Sequence, residues 1–186
     1  DGTKEFIKGN NEFTVNIALM MNNECIASAL YVPYHQKMYV AAKGLGAYLI
    51  RDVEPKEDSS LNQKEIEHLL ERLPLESASH EEFRVAVSRS HQTPETHDRI
   101  DQIRQQHPDL RLIEQGSSYK FCLLAEGTID YYVRTTNTYE WDTAAGELIL
   151  AEAGGCTISY PDGKPLCYNK EDLKNPWFEA HSAINK

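Results

Sequence analysis

From Phe13 to Met20 the chain reads F-T-V-N-I-A-L-M, alternating along its length and rich in residues that favour strands. Cys25 to Val32, Lys37 to Ala41 and Ala47 to Ile50 repeat that character. Asn22-Asn23 separates the first two runs as a turn signal, and Gly44 and Gly46 flank the turn before the fourth. The pattern predicts an antiparallel meander. Arg51 to Ser60 is polar, carries Pro55 and two serines, and reads as a loop. Lys64 to Leu73 sets Ile66, Leu69, Leu70 and Leu73 on one helical face and predicts a short helix ahead of Pro74.

Beyond Phe83 the pattern changes. Phe83 to Val87 predicts a strand. Thr93-Pro94-Glu95 carries the signature of a helix start, threonine as cap and proline in the first turn, and the helix should run to about Gln106. A strand follows from Leu110, a helix over Ser117 to Glu126 and a strand over Ile129 to Arg134. Trp141 to Ala153 predicts a helix stopped by Gly154-Gly155. Cys156 to Tyr160 predicts a strand, and Pro161-Asp162-Gly163 a turn. Strands alternating with helices imply a layered α/β fold, an α+β sandwich in which the meander precedes a mixed α/β lobe. The expected lobes are residues 1–82 and 83–186.

The 186 residues suffice for one substantial core or two small lobes, and no apolar run reaches the length of a membrane span. Cys25, Cys122, Cys156 and Cys167 are scattered, which fits buried free thiols in a reducing compartment better than a zinc ribbon or a disulfide scaffold. A net charge of −10 argues against nucleic acid as a partner. It permits a small anion, provided that metal ions or a few aimed Lys and Arg side chains overrule the mean field.

The stretch W-D-T-A-A-G-E-L-I-L-A-E-A-G-G, Trp141 to Gly155, is the most specific in the chain. Asp142 stands at a helix entrance, where unpaired amides favour a carboxylate, so on its own it reads first as an N-cap. Ala144, Ala145 and Gly146 permit close backbone approach. At the start, D-G-T-K-E-F (Asp1 to Phe6) has the make-up of a catalytic loop. These two stretches, with E-F-T-V-N-I-A-L at Glu12 to Leu19, S-R-S-H at Ser88 to His91 and G-S-S-Y-K-F-C at Gly116 to Cys122, resemble the inositol monophosphatase superfamily, and its 3'(2'),5'-bisphosphate nucleotidase branch in particular.

The resemblance implies a sugar-phosphatase-like fold and a phosphatase that uses two or more Mg2+ ions and is inhibited by lithium. It implies a small-molecule nucleotide bisphosphate as partner, with removal of the 3'-phosphate of adenosine 3',5'-bisphosphate. An inositol phosphatase is the nearest alternative, and a catalytically incomplete phosphate-binding fragment another. It places the protein in the cytoplasm or at the periphery of the inner membrane. Asp1 and Asp142 match metal ligands, in a metal-binding lobe (1–82) and a substrate-binding lobe (83–186). Gly2 and Thr3 match residues whose amides receive phosphate oxygens, and the Thr3 hydroxyl one that orients the attacking water. His91, Ser117, Lys120 and Arg134 match contacts to the nucleotide and its other phosphate. Ser117 reads equally well as a helix N-cap. Glu140 is a weaker candidate for the ribose or the metal-bound water, and Tyr131, Tyr132 and Tyr139 for the base. The resemblance also implies an Asp, a Pro and a Glu ahead of Asp1, so the sequence is expected to be the C-terminal portion of a longer enzyme.

Overall fold

A computed structural model of the chain describes residues 1–55, 66–76 and 81–183. The meander forms one antiparallel sheet of five strands in the order β1 (Val15–Met21), β2 (Glu24–Val32), β3 (Lys37–Ala42), β4 (Gly46–Ile50) and β5 (Glu71–Arg72). Asn22 (φ 49°) and Asn23 (φ 68°) both take the left-handed conformation that a two-residue hairpin turn of this hand requires. The next hairpin is tied to the far end of a helix, because the amides of Gly44 and Gly46 donate to the two carboxylate oxygens of Glu152 at 2.8 and 2.9 Å.

β5 corrects the helix expected over Lys64 to Leu73. Residues 64 and 65 lie outside the described residues, only 66–67 are helical, and Glu71–Arg72 pair with β4. The edge of β4 presents amides and carbonyls that need partners, and the segment supplies them. The Leu73 amide extends the pairing by donating to Ala47 O at 2.9 Å, and Arg51 holds Glu71 at 2.6 Å. Of the expected apolar face, Leu73 is buried whereas Ile66 and Leu69 are exposed. Of the expected loop Arg51 to Ser60, residues 51–55 carry no regular structure and 56–60 lie outside the described residues.

The second sheet is mixed, in the order β7 (Arg111–Gln115), β6 (Arg84–Ser88), β8 (Tyr131–Arg134), β10 (Phe178–His181) and β9 (Cys156–Ser159). β6 runs parallel to β7 and β8, and β10 antiparallel to β8 and β9. β10 has no counterpart among the expected elements. It is four residues long and carries a buried charge, Glu179, held by Arg99 at 2.6 Å. Such a segment shows no period-two pattern to read.

Among the described residues four longer α-helices are complete: α1 (Thr3–Lys8), α2 (Pro94–Gln106), α3 (Tyr119–Glu126) and α4 (Glu140–Glu152). α2 begins as the sequence predicts. Thr93 is its N-cap, its hydroxyl accepting from Thr96 N while Thr96 returns the bond to Thr93 N. Ile100 and Ile103 of α2 pack on Val85, Val87, Tyr131 and Val133 on one face of the mixed sheet. α3 and α4 lie against each other between the two sheets, in the main core. At their crossing a Cβ on Gly146 would stand 2.7 Å from Cβ and Cγ of Phe121, so only glycine permits this approach. Glu126 at the end of α3 ties the layer to the meander, accepting from Lys37 (2.8 Å) and Tyr39 (2.5 Å) of β3. All four cysteines are free as expected, but only Cys122 is fully buried; Cys25 and Cys156 are half-buried and Cys167 is exposed. Among the described residues no helix is long and apolar enough to cross a membrane.

The crossing yields a first prediction. Gly146→Ala should destabilise the fold by about 1–3 kcal/mol, the usual cost of overpacking a filled core, measured as a lower urea midpoint. An unchanged midpoint would mean that Phe121 withdraws freely.

Candidate functional site

Asp1 is fixed by backbone and side chain together. Its ammonium donates to Thr14 O at 2.7 Å, and Thr14 N returns a bond to Asp1 O at 3.0 Å. Its Oδ2 accepts from Ser118 N, 2.6 Å away at the start of α3. Gly2 sits at φ 86°, and a Cβ there would meet Phe13 Cα and Ser117 Cβ at 3.1 Å, so conformation and space both require glycine. D-G-T-K-E-F is not the open loop that its composition suggests. Gly2 is an N-cap, Thr3 is the first residue of α1, and Phe6 N bonds back to Gly2 O at 2.9 Å.

That helical turn carries Glu5 into the cleft beside Asp1. Burial acts to raise the Glu5 pKa, but the Ser90 hydroxyl at 2.9 Å, a backbone amide, Lys120 and His91 together hold it below the ordinary carboxylate value. Gly116 makes room for this side chain, since a Cβ there would lie 2.4 Å from Glu5 Cγ. The Gly116 amide donates to Glu12 at 2.7 Å, and Arg89 holds the other Glu12 oxygen at 2.8 Å. This joins E-F-T-V, S-R-S-H and G-S-S-Y in space.

Asp142 comes from α4. The helix starts one residue earlier than expected, at Glu140, with Tyr139 as N-cap. Asp142 is therefore the third residue of the helix rather than its cap, and its Oδ2 accepts from Tyr139 N at 2.9 Å. Ser117 is likewise displaced from the cap, which is Ser118. Ser117 adopts φ 52°, and its hydroxyl still accepts from Tyr119 N at 3.3 Å. Ser118 joins a short hydroxyl network, with Thr14 at 2.7 Å and Asn16 at 2.8 Å.

The cations Lys120 and Arg134 line the same inner cleft as these carboxylates. Lys120 is 2% exposed, and its ammonium donates to Ser117 O (2.6 Å) and Gln115 O (3.0 Å), 4.9 Å from the ring centre of Tyr132. Burial, with Arg134 adding to it, pushes its pKa down to about 7 against the opposing pull of Glu5 and Glu12. Arg134 ends β8, and among the described residues its buried Nε has no hydrogen-bond partner. His91 contacts Lys4 Nζ at 3.1 Å. Burial and the charges of Arg134 and Lys4 lower the His91 pKa, which suits a neutral ring accepting from the lysine.

The eight residues singled out from the sequence line one cleft in two adjoining parts. The inner part holds Asp1, His91, Ser117, Lys120, Arg134 and Asp142. The outer part adds Gly2 and Thr3 to Asp1, His91 and Asp142. Glu5, Ser118, Thr138 and Thr143 also line the inner part and were not singled out. For Glu5, Ser118 and Thr143 the signal was position, since each lies inside a quoted motif; Thr138, three residues ahead of Trp141, carried none. Glu140 turns elsewhere. Its buried carboxylate accepts from Asn169 N (2.7 Å), Lys170 N (3.1 Å) and Lys170 Nζ (2.6 Å), pinning a loop to α4. Of the three tyrosines, Tyr131 faces α2, Tyr132 lines the inner cleft, and Tyr139 stacks on Trp141 with ring centres 4.7 Å apart.

Asp1 and Asp142 offer hard carboxylate oxygens, the donor type that magnesium prefers, so the residues present fit that ion in kind. Among the described residues no group of three or more His, Cys, Asp or Glu side chains is assembled for a metal.

Comparison with known proteins is consistent across three measures. The model of the inositol monophosphatase family matches residues 1–183. The chain is 39% identical over 181 residues to the 3'(2'),5'-bisphosphate nucleotidase CysQ of Escherichia coli K12, covering 97% of this chain and 64% of the relative. It is 40% identical, with the same coverage, to the protein of that name from Salmonella typhimurium. The crystal structure of CysQ from Bacteroides thetaiotaomicron superposes with a TM-score of 0.91 at 44% identity, over 98% of this chain and 67% of that one. The chain thus spans about two thirds of the length of these relatives, and with the motifs gathered around a single cleft, it belongs to the inositol monophosphatase family.

Proposed function

We propose that the cleft takes adenosine 3',5'-bisphosphate and hydrolyses its 3'-phosphate, giving AMP and inorganic phosphate, as a step in nucleotide recycling during sulfate assimilation. The observation that carries this reading is that one inner cleft is lined by the carboxylates Asp1 and Asp142 together with the cations Lys120 and Arg134. A monoester needs one phosphate seat, whereas a bisphosphate rewards a second set of fixed cations. Arg134 offers an unpartnered buried N–H, and Lys120 a desolvated ammonium held in place by two carbonyls. The names of the relatives support the same substrate.

In this reading Asp1 and Asp142 would hold magnesium, whose contribution is positive charge beside the phosphoryl oxygens. The Gly2 and Thr3 amides receive phosphate oxygens at the start of α1, and the Thr3 hydroxyl aligns a water for in-line attack at phosphorus. The P–O3' bond breaks as the water oxygen bonds to phosphorus, and the ribose oxygen leaves with a proton. His91, Ser117, Lys120 and Arg134 hold the nucleotide and its 5'-phosphate. Residues 1–82 then act as the metal-binding lobe, and residues 83–186 as the substrate lobe.

Phosphate release in the presence of magnesium tests the reading. Adenosine 3',5'-bisphosphate should turn over faster than inositol 1-phosphate; the reverse order would reassign the chain to inositol phosphates. Nucleotide binding without turnover would identify a phosphate-binding fragment. Asp142→Asn should lower turnover by about two orders of magnitude or more, and Arg134→Ala should weaken nucleotide binding about ten- to hundredfold. A second prediction concerns pH. Lys120 must be protonated to attract an anion, so affinity for sulfate, whose own charge is constant in this range, should fall as pH rises through about 7. Calorimetry on Lys120→Met should show weaker binding and one proton fewer in that dependence. An unchanged profile would remove Lys120 from the site.

A further inference from the structure

Beyond Asp142, α4 carries a carboxyl that the proposed chemistry does not use. Glu147 of α4 lines an open cavity beside the meander with Cys25, Leu166 and Tyr168. Among the described residues its hydrogen-bond partner is the Tyr168 hydroxyl, in a short contact. That hydroxyl also faces Thr143 Oγ1 at 3.2 Å, and Thr143 Oγ1 faces Glu140 O, a backbone acceptor, at 3.3 Å. Asn175 Nδ2, which has two hydrogens to give, lies within hydrogen-bond reach of Tyr139 O at 2.8 Å, Thr143 Oγ1 at 3.0 Å and Thr138 Oγ1 at 3.2 Å. Thr143 and Thr138 line the inner cleft, and Thr143 follows Asp142 directly.

Counting hydrogens decides the state of this chain. Glu147 to Tyr168, Tyr168 to Thr143 and Thr143 to the Glu140 carbonyl are three links, and each needs one hydrogen. Tyr168 and Thr143 supply one each. An ionised carboxylate and a carbonyl supply none, so all three links exist together only when Glu147 holds a proton. Once it ionises, Tyr168 must donate to it. Thr143 then either abandons the Glu140 carbonyl or faces Tyr168 with two oxygens and no hydrogen between them, a costly contact in a buried place.

We propose that Glu147 is a positioning residue for the cleft: the proton on its carboxyl, relayed by Tyr168, decides whether Thr143 is locked onto the first turn of α4 beside Asp142. The surroundings agree. Burial raises the Glu147 pKa to about 7, with Tyr168 opposing, and among the described residues no cation is paired with it. Lys43, which lines the same cavity, is paired with Glu24. Glu152 is a second carboxylate, held by the Gly44 and Gly46 amides. The Cys25 thiol is pushed up to about 11 by burial, with Glu147 adding to the effect, so it stays neutral. The lock closes below neutral pH and opens above it.

The binding arm of the test rests on the anion reading of the cleft; the spectroscopic arm does not. Gln at position 147 keeps an N–H to give to Tyr168 and imitates the protonated form. The affinity of wild type for sulfate should fall through neutrality with two protonation steps, those of Lys120 and Glu147, and that of Glu147→Gln with one. The slope of the variant should be shallower by up to about tenfold per pH unit. Tyr168→Phe should bind more weakly at low pH and show the same shallow slope. Infrared difference spectra should show a protonated carboxyl band at about pH 6 that disappears by about pH 8.5 and is missing from Glu147→Gln. Superimposable binding profiles, or a carboxyl band that survives in Glu147→Gln or is absent from wild type at the lower pH, would overturn the proposal. If Glu147→Gln does not fold, the wild-type infrared titration and Tyr168→Phe decide. Failure of every form to bind sulfate overturns the anion reading instead, while the infrared arm still reports on the relay.

Discussion

The close crossing of α3 and α4 is the constraint on which the other features depend. Gly146 lets Phe121 lie against the backbone of α4, and Phe121 in turn stacks on Phe178 of the mixed sheet, with ring centres 5.8 Å apart. The two helices are thereby held between two sheets that share no strand. Their starts converge on one place: Ser118 and Lys120 arrive from α3, and Asp142 and Thr143 from α4. The cleft is where the two helix entrances meet the Asp1 carboxylate, and core packing fixes the part of its geometry that the helices supply.

Electrostatics inside the cleft oppose the bulk of the molecule. A chain with a net charge of −10 gathers Lys4, Lys120 and Arg134 near His91. Burial disfavours the charged form of Lys120, which explains why its pKa falls despite the nearby glutamates. In the proposed reading an incoming anion would offset that cost, and a local cluster of cations would serve it without a basic surface.

Much of this was legible in the sequence. The meander was readable because alternation and paired asparagines point the same way, and α2 because Thr93-Pro94 marks its start. The misreadings have physical causes. Lys64 to Leu73 has helical periodicity, but the open edge of β4 claimed Glu71 and Arg72. β10 is too short and too charged to announce itself, since only the Arg99 partner makes Glu179 tolerable inside. Asp142 reads as a cap because a cap and a third-position acid differ by a shift of the helix start, which propensity does not resolve. The eight singled-out residues could be named through their motifs, whereas Glu147, Tyr168 and Asn175 lie far apart along the chain in plain surroundings, and only the fold shows that they touch.

The clamp of Glu152 on the turn between β3 and β4 bears on mutational tolerance. A surface hairpin tip is ordinarily where a protein accepts extra residues most readily. Here the amides of Gly44 and Gly46 must both reach a single carboxylate at the end of α4. The spacing of two residues is thus a fixed length, and a tip that looks expendable should reject a tag, a loop graft or a new chain terminus.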